Sequence, residues 1–156
     1  MRKKSNYKPR AVIADVMSYV KSGLLPLASI GDEAVKLKLR NHDALNKLRL
    51  GEGTHNDADI VLTAMNVAEA LARDVKLGVD WLAEIDAAQE AVASLCERGL
   101  STGRYVFRGP ELVAINLAMD VHDAQLDACT VHDMERAINY TKAVIRAGGA
   151  RRLGAA

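Results

Sequence analysis

A chain of 156 residues with 49% apolar and 26% charged side chains is large enough for one hydrophobic core, and its composition excludes wholesale disorder. The formal net charge of +1 hides an acidic body between two basic ends: residues 11–136 carry 12 basic and 20 acidic side chains, a net of −8, while the ends carry nine cations and no acid. Such a body disfavours a broad nucleic-acid groove, because nucleic acid is a dense polyanion, and no apolar run approaches the roughly 18 residues of a membrane span. Cys96 and Cys129 are too few for a disulfide framework and read as reduced core thiols. With no apolar signal region after the basic N-terminus, the expectation is a cytoplasmic protein.

Alanine supplies 25 residues and aromatic side chains only six, a composition that leans to an all-α fold. Residues 1–10 hold Arg2, Lys3, Lys4, Lys8 and Arg10 around Tyr7 and read as a basic, flexible arm. Residues 11–149 read as a single helical domain of five to six helices, and residues 150–156 as a loose tail. Ala11–Val20, bounded by Pro9 and Pro26, reads either as a short helix or as an extended lead-in. In Asp32–Leu50, residues 35–40 alternate as a strand would, yet Leu37, Asn41, Ala44 and Leu48 keep helical spacing and Gly51 supplies a stop. The expectation is a helix with a break near Asn41.

Thr54 followed by Asp57 predicts an N-terminal cap, opening a helix to about Leu77. Asp59, Thr63, Asn66, Glu69 and Arg73 lie on one narrow polar stripe, and the rest of Ile60–Ala72 is apolar. A helix with so thin a polar face is surrounded by neighbours, so residues 55–77 are predicted to form the centre of the bundle. The next helix, Val79–Arg98, carries a stripe of Trp81, Ile85, Ala88, Val92 and Leu95 and is expected to end at Gly99. Residues 105–107 read as a short extended piece that could pair with residues 35–39 in a minor two-stranded ribbon. Pro110 and Glu111 mark the start of a helix to about Cys129, with Leu112, Ile115, Met119, His122 and Leu126 as its stripe. Thr130 and Asp133 repeat the cap and open a last helix whose apolar residues include Met134, Ala137, Ile138, Val144 and Ile145.

Asp120, Asp123 and Asp127 are spaced to share one helix face, with His122 beside them. Three carboxylates could hold a hard cation, but an exposed acidic face is ordinary amphipathicity, and His122 falls in the apolar stripe, where a hydrogen-bonded core histidine is expected. Glu52 and His55 spell Glu-x-x-His, yet Gly51 and Gly53 flank Glu52, so the helix geometry that gives this spacing its meaning is missing. The glycine-rich stretch 99–109 holds Arg104 and Arg108 near a helix start, a setting that could receive phosphate, although its spacing matches no known cradle. No nucleophile motif or dinucleotide loop is present, and no metal or cofactor is expected.

The pattern Lys8-Pro9-Arg10-x-Val12-x-x-Asp15-x-Met17-x-Tyr19-Val20, together with Asn41-His42-x-Ala44-Leu45 and Asn66-x-Ala68-Glu69-Ala70-Leu71, resembles small proteins encoded by phages and prophages. The resemblance implies a viral accessory protein acting on a host complex, and it carries no catalytic or binding residue. The leading expectation is a non-enzymatic protein that binds and modulates or inhibits a macromolecular partner in the host cell, most simply a protein, with self-association into a homo-oligomer as a further mode. Asp120, Asp123 and Asp127 could imitate nucleic acid toward a basic partner. The alternative is a nucleic-acid-binding accessory protein that grips phosphate with Arg2, Lys3, Lys4, Lys8 and Arg10 and stacks a base on Tyr7. A metal-dependent hydrolase built on the three aspartates comes third.

Overall fold

The computed structural model describes residues 23–149. The basic arm, the segment Ala11–Val20 and the tail 150–156 lie outside the described residues. Within them the fold is all-α. After a short 3-10 turn at Leu27–Ser29 come five helices: α1 (Glu33–Leu50), α2 (His55–Ala70), α3 (Leu82–Thr102), α4 (Gly109–Ala128) and α5 (Val131–Arg146). No helix among the described residues is long and apolar enough to cross a membrane.

α2 is the hub, packing against each of the other four helices. Its Thr54 cap forms as predicted: the Thr54 hydroxyl accepts from the Asp57 amide, and the Asp57 carboxylate accepts from the Thr54 amide at 2.8 Å. Two of the first four amides are thereby satisfied without other help. Val61, Ala64, Met65 and Ala68 are buried, whereas Asp59, Thr63 and Arg73 remain exposed. Asn66 and Glu69, also on the polar stripe, are half-covered because Gln89 of α3 donates its side-chain amide to both. The thin stripe therefore places this helix correctly, but its last turns are not regular. Leu71–Val75 widens into a π turn, and Lys76 ends it at a positive φ of 69°. A residue with a Cβ is strained in that left-handed region. Lys76→Gly is expected to raise the unfolding free energy by about 1 kcal/mol, measured by urea denaturation.

α1 is continuous, with neither a break at Asn41 nor a strand at residues 35–39. Ala34, Asn41, Ala44 and Leu48 face the core and Leu37 is half-buried, while Val35 and Leu39 point to water. Helical burial thus separates residues whose alternation in sequence mimics a strand. The ribbon is absent among the described residues. Tyr105 makes an isolated bridge to Gly53 instead, and the Phe107 amide donates to the Leu48 carbonyl at 3.3 Å, so this stretch crosses the α1–α2 turn.

α3 runs through Gly99 and ends at Gly103, whose φ of 74° suits a residue without a side chain. Gly99 serves a different purpose: a Cβ there would lie 2.2 Å from the Tyr105 ring. The bare backbone lets that ring close over the helix. Ile85, Ala88, Val92 and Leu95 are buried as the spacing requires, but Trp81 is not with them; it sits in a 3-10 turn at Val79–Trp81, ahead of α3. α4 buries Ile115, Met119, His122 and Leu126, and α5 opens with the predicted Thr130–Asp133 cap. Of the apolar positions in α5, Ala137 alone is fully buried.

Candidate functional site

The three aspartates do not form the acidic face that their spacing suggests. Asp123 and Asp127 turn toward α1, where Lys38 and His42 stand one helical turn apart. The His42 Nε2 lies 2.7 Å from one Asp123 oxygen, and Lys38 donates to Asp127 at 2.5 Å. Asp120 remains exposed and has no ion pair among the described residues. Two of the three carboxylates therefore tie α4 to α1, and one is left for other work.

The remaining candidates are held in similar ways. His55 pairs with Asp59 at 3.0 Å rather than with Glu52, and its ring meets Tyr105 edge-on. At the start of α4, the setting that could receive phosphate, the Glu111 carboxylate already accepts from the Arg108 amide at 2.9 Å and from both guanidinium NH2 groups of Arg98. Burial alone would raise the Glu111 pKa, but Arg98 and the Arg108 amide outweigh it and hold the group below its usual range. Cys96 and Cys129 are buried free thiols, and desolvation pushes both upward in pKa, away from reactivity. Among the described residues no three His, Cys, Asp or Glu side chains converge to hold a metal ion. Arg2, Lys3, Lys4, Tyr7, Lys8 and Arg10 lie outside the described residues.

His122 is buried in the apolar stripe, where its Nδ1 lies 3.4 Å from the Gln125 side-chain oxygen. Gln125 was given no role by sequence reasoning. Its amide nitrogen donates to the Ala68 carbonyl at 3.0 Å and to the Leu77 carbonyl at 2.8 Å. These contacts clamp both ends of the π turn to α4. Gln125→Leu keeps the volume but removes both donors, so it is expected to cost about 2 kcal/mol of stability, read by urea denaturation.

That clamp fixes Leu77 and Gly78, which lead into the turn carrying Trp81. The result is a groove of about 370 Å³ between this turn and α4, lined by Leu77, Trp81, Leu117, Val121 and, at its rim, Asp120. Trp81 is 44% exposed and Leu117 41%. Asp80, next to Trp81, is exposed as well. A half-wet tryptophan in an apolar groove with Asp120 among its lining residues has the composition of a binding hot spot, because a large rigid ring gains much contact area at small entropy cost. Sequence periodicity missed it by counting Trp81 into the buried stripe of α3. A tryptophan just ahead of a helix whose stripe is already complete without it was the available signal. No family model matches the chain, and no curated protein and no solved structure matches it.

Proposed function

We propose that this chain is a non-enzymatic accessory protein of the phage type, which binds a host protein through the Trp81 groove and modulates or inhibits it. The observation that carries this reading is the exposed Trp81 beside Leu117 and Val121. Asp120 sets the chemistry of the partner: a segment that inserts an apolar anchor over Trp81 and presents a lysine or arginine to this carboxylate. The net of −8 over residues 11–136 favours approach by such a basic surface. Acidic imitation of nucleic acid is thereby narrowed from three aspartates to Asp120, since Asp123 and Asp127 are engaged by α1.

The test is quantitative capture from host-cell lysate followed by affinity measurement with the purified partner. Trp81→Ala is expected to weaken binding by at least tenfold, Asp120→Lys by several-fold, and Ile145→Ala not at all. Undiminished affinity of Trp81→Ala contradicts the reading. The nucleic-acid alternative is separated by deleting residues 1–10 and measuring DNA and RNA binding across salt. It gains support if steep salt dependence disappears with the arm.

A further inference from the structure

α5 packs along α2 and the π turn but has little contact with α3. A cavity of about 450 Å³ is left between α3 and α5, floored by α2, a size usual for small-molecule sites. It shares no lining residue with the Trp81 groove. Cross-links between the helices give its direction. Arg136 of α5 pairs with Asp74, just past the end of α2, and Tyr140 packs with Val67 and Leu71. Arg73 reaches Asp86 of α3, while Gln89, further along α3, meets Glu69 and Asn66 further back on α2. α3 and α5 therefore both run antiparallel to α2, and the lining sorts by position. Asn66, Glu69, Gln89 and Tyr140 stand at the end nearer the π turn. Leu62, Ala93, Val144 and Ile145 form the apolar other end, about 10 Å further along α2.

The polar end is built around one carboxylate. Gln89 spends both amide hydrogens, on Asn66 at 3.1 Å and on Glu69 Oε2 at 2.8 Å, and Arg73 donates to Glu69 Oε1 at 2.6 Å. These bonds fix Glu69, yet its side chain stays 29% exposed and each oxygen keeps a lone pair for a further donor. Glu90 adds a second carboxylate to the lining, and among the described residues no lysine or arginine lines the cavity. Arg73 stands outside the lining, shared between Glu69 and Asp86. We propose that this cavity binds one small alkylammonium molecule, whose cationic head donates to Glu69 and whose hydrocarbon lies along Leu62, Ala93, Val144 and Ile145. An anionic head would meet like charge at the same end, which is how the site rejects it.

The test is calorimetric titration of the full chain with octylammonium, octanol and octanoate, three probes with one hydrocarbon and different heads. Octylammonium is expected to bind one to one with a Kd below about 1 mM, octanol at least tenfold more weakly, and octanoate not at all. Glu69→Gln is expected to abolish the preference for octylammonium over octanol while octanol binding persists. Ala93→Leu and, separately, Val144→Phe fill the apolar end and are expected to weaken octylammonium binding at least tenfold, each at helix content unchanged by circular dichroism. Trp81→Ala is expected to leave it unchanged. Absence of saturable octylammonium binding overturns the proposal. So does equal affinity for the three probes, or binding that survives both filling substitutions.

Discussion

Truncating Met65 to alanine is expected to lower the unfolding free energy by about 4 kcal/mol and the melting temperature by roughly 10 °C. Met65 is fully buried on α2, in the cluster that includes Leu48, Val92, Ile115 and Met119. Those side chains come from α1, α3 and α4, so removing the methionine opens a space that no single helix can close by shifting. The cost combines lost transfer free energy with the residual cavity. Urea denaturation measures it. A loss below about 1 kcal/mol would mean that α2 is not the packed centre of the bundle.

The second large effect is a pH dependence. Desolvation lowers the pKa of the buried His122 from 6.5 to about 4, against weaker opposing contributions from Gln125 and Asp123, while Lys38 and His42 act in the same direction as burial. The native state therefore holds the ring neutral where the unfolded chain would protonate it. Between those two values the unfolded state binds more protons, so stability is full above pH 6.5 and falls as the pH drops toward 4. The loss attributable to this side chain is about 3 kcal/mol. Denaturation of the wild type and of His122→Leu at pH 7.5 and at pH 4 isolates it. The variant is expected to lose about 3 kcal/mol less than the wild type over that interval. Equal losses would show that His122 is not kept neutral by its surroundings.

Much of the architecture is legible in the chain because local chemistry and global packing agree there. Thr54 with Asp57 and Thr130 with Asp133 are caps in sequence and in space. Pro110 stands in the first turn of α4, and the polar stripe of Asp59, Thr63 and Arg73 marks the outer edge of the central helix. His122 occupies the buried place its periodicity assigns. The misreadings arise where a residue answers to a distant neighbour. Gly99 looks like a helix stop, but it is bare because the Tyr105 ring lies against it. Asp123 and Asp127 look like a free acidic face, but Lys38 and His42 reach them from α1, more than eighty positions away. The π turn after Ala70 has no local mark, since Gln125 on another helix supports it. Trp81 fits the period of α3 and still lies outside its core, because the chain turns just before the helix begins.

The placement of Trp81 also supplies the most direct test of the proposed binding mode. It is the single tryptophan of the chain, so its emission reports the groove with no background from elsewhere. Titration with the captured host protein in a tryptophan-free form, or with a tryptophan-free peptide from its contact region, is expected to shift the emission to the blue. Protection from acrylamide quenching should saturate at the same concentration as binding. Saturable binding that leaves the emission and the quenching of Trp81 unchanged would contradict the account.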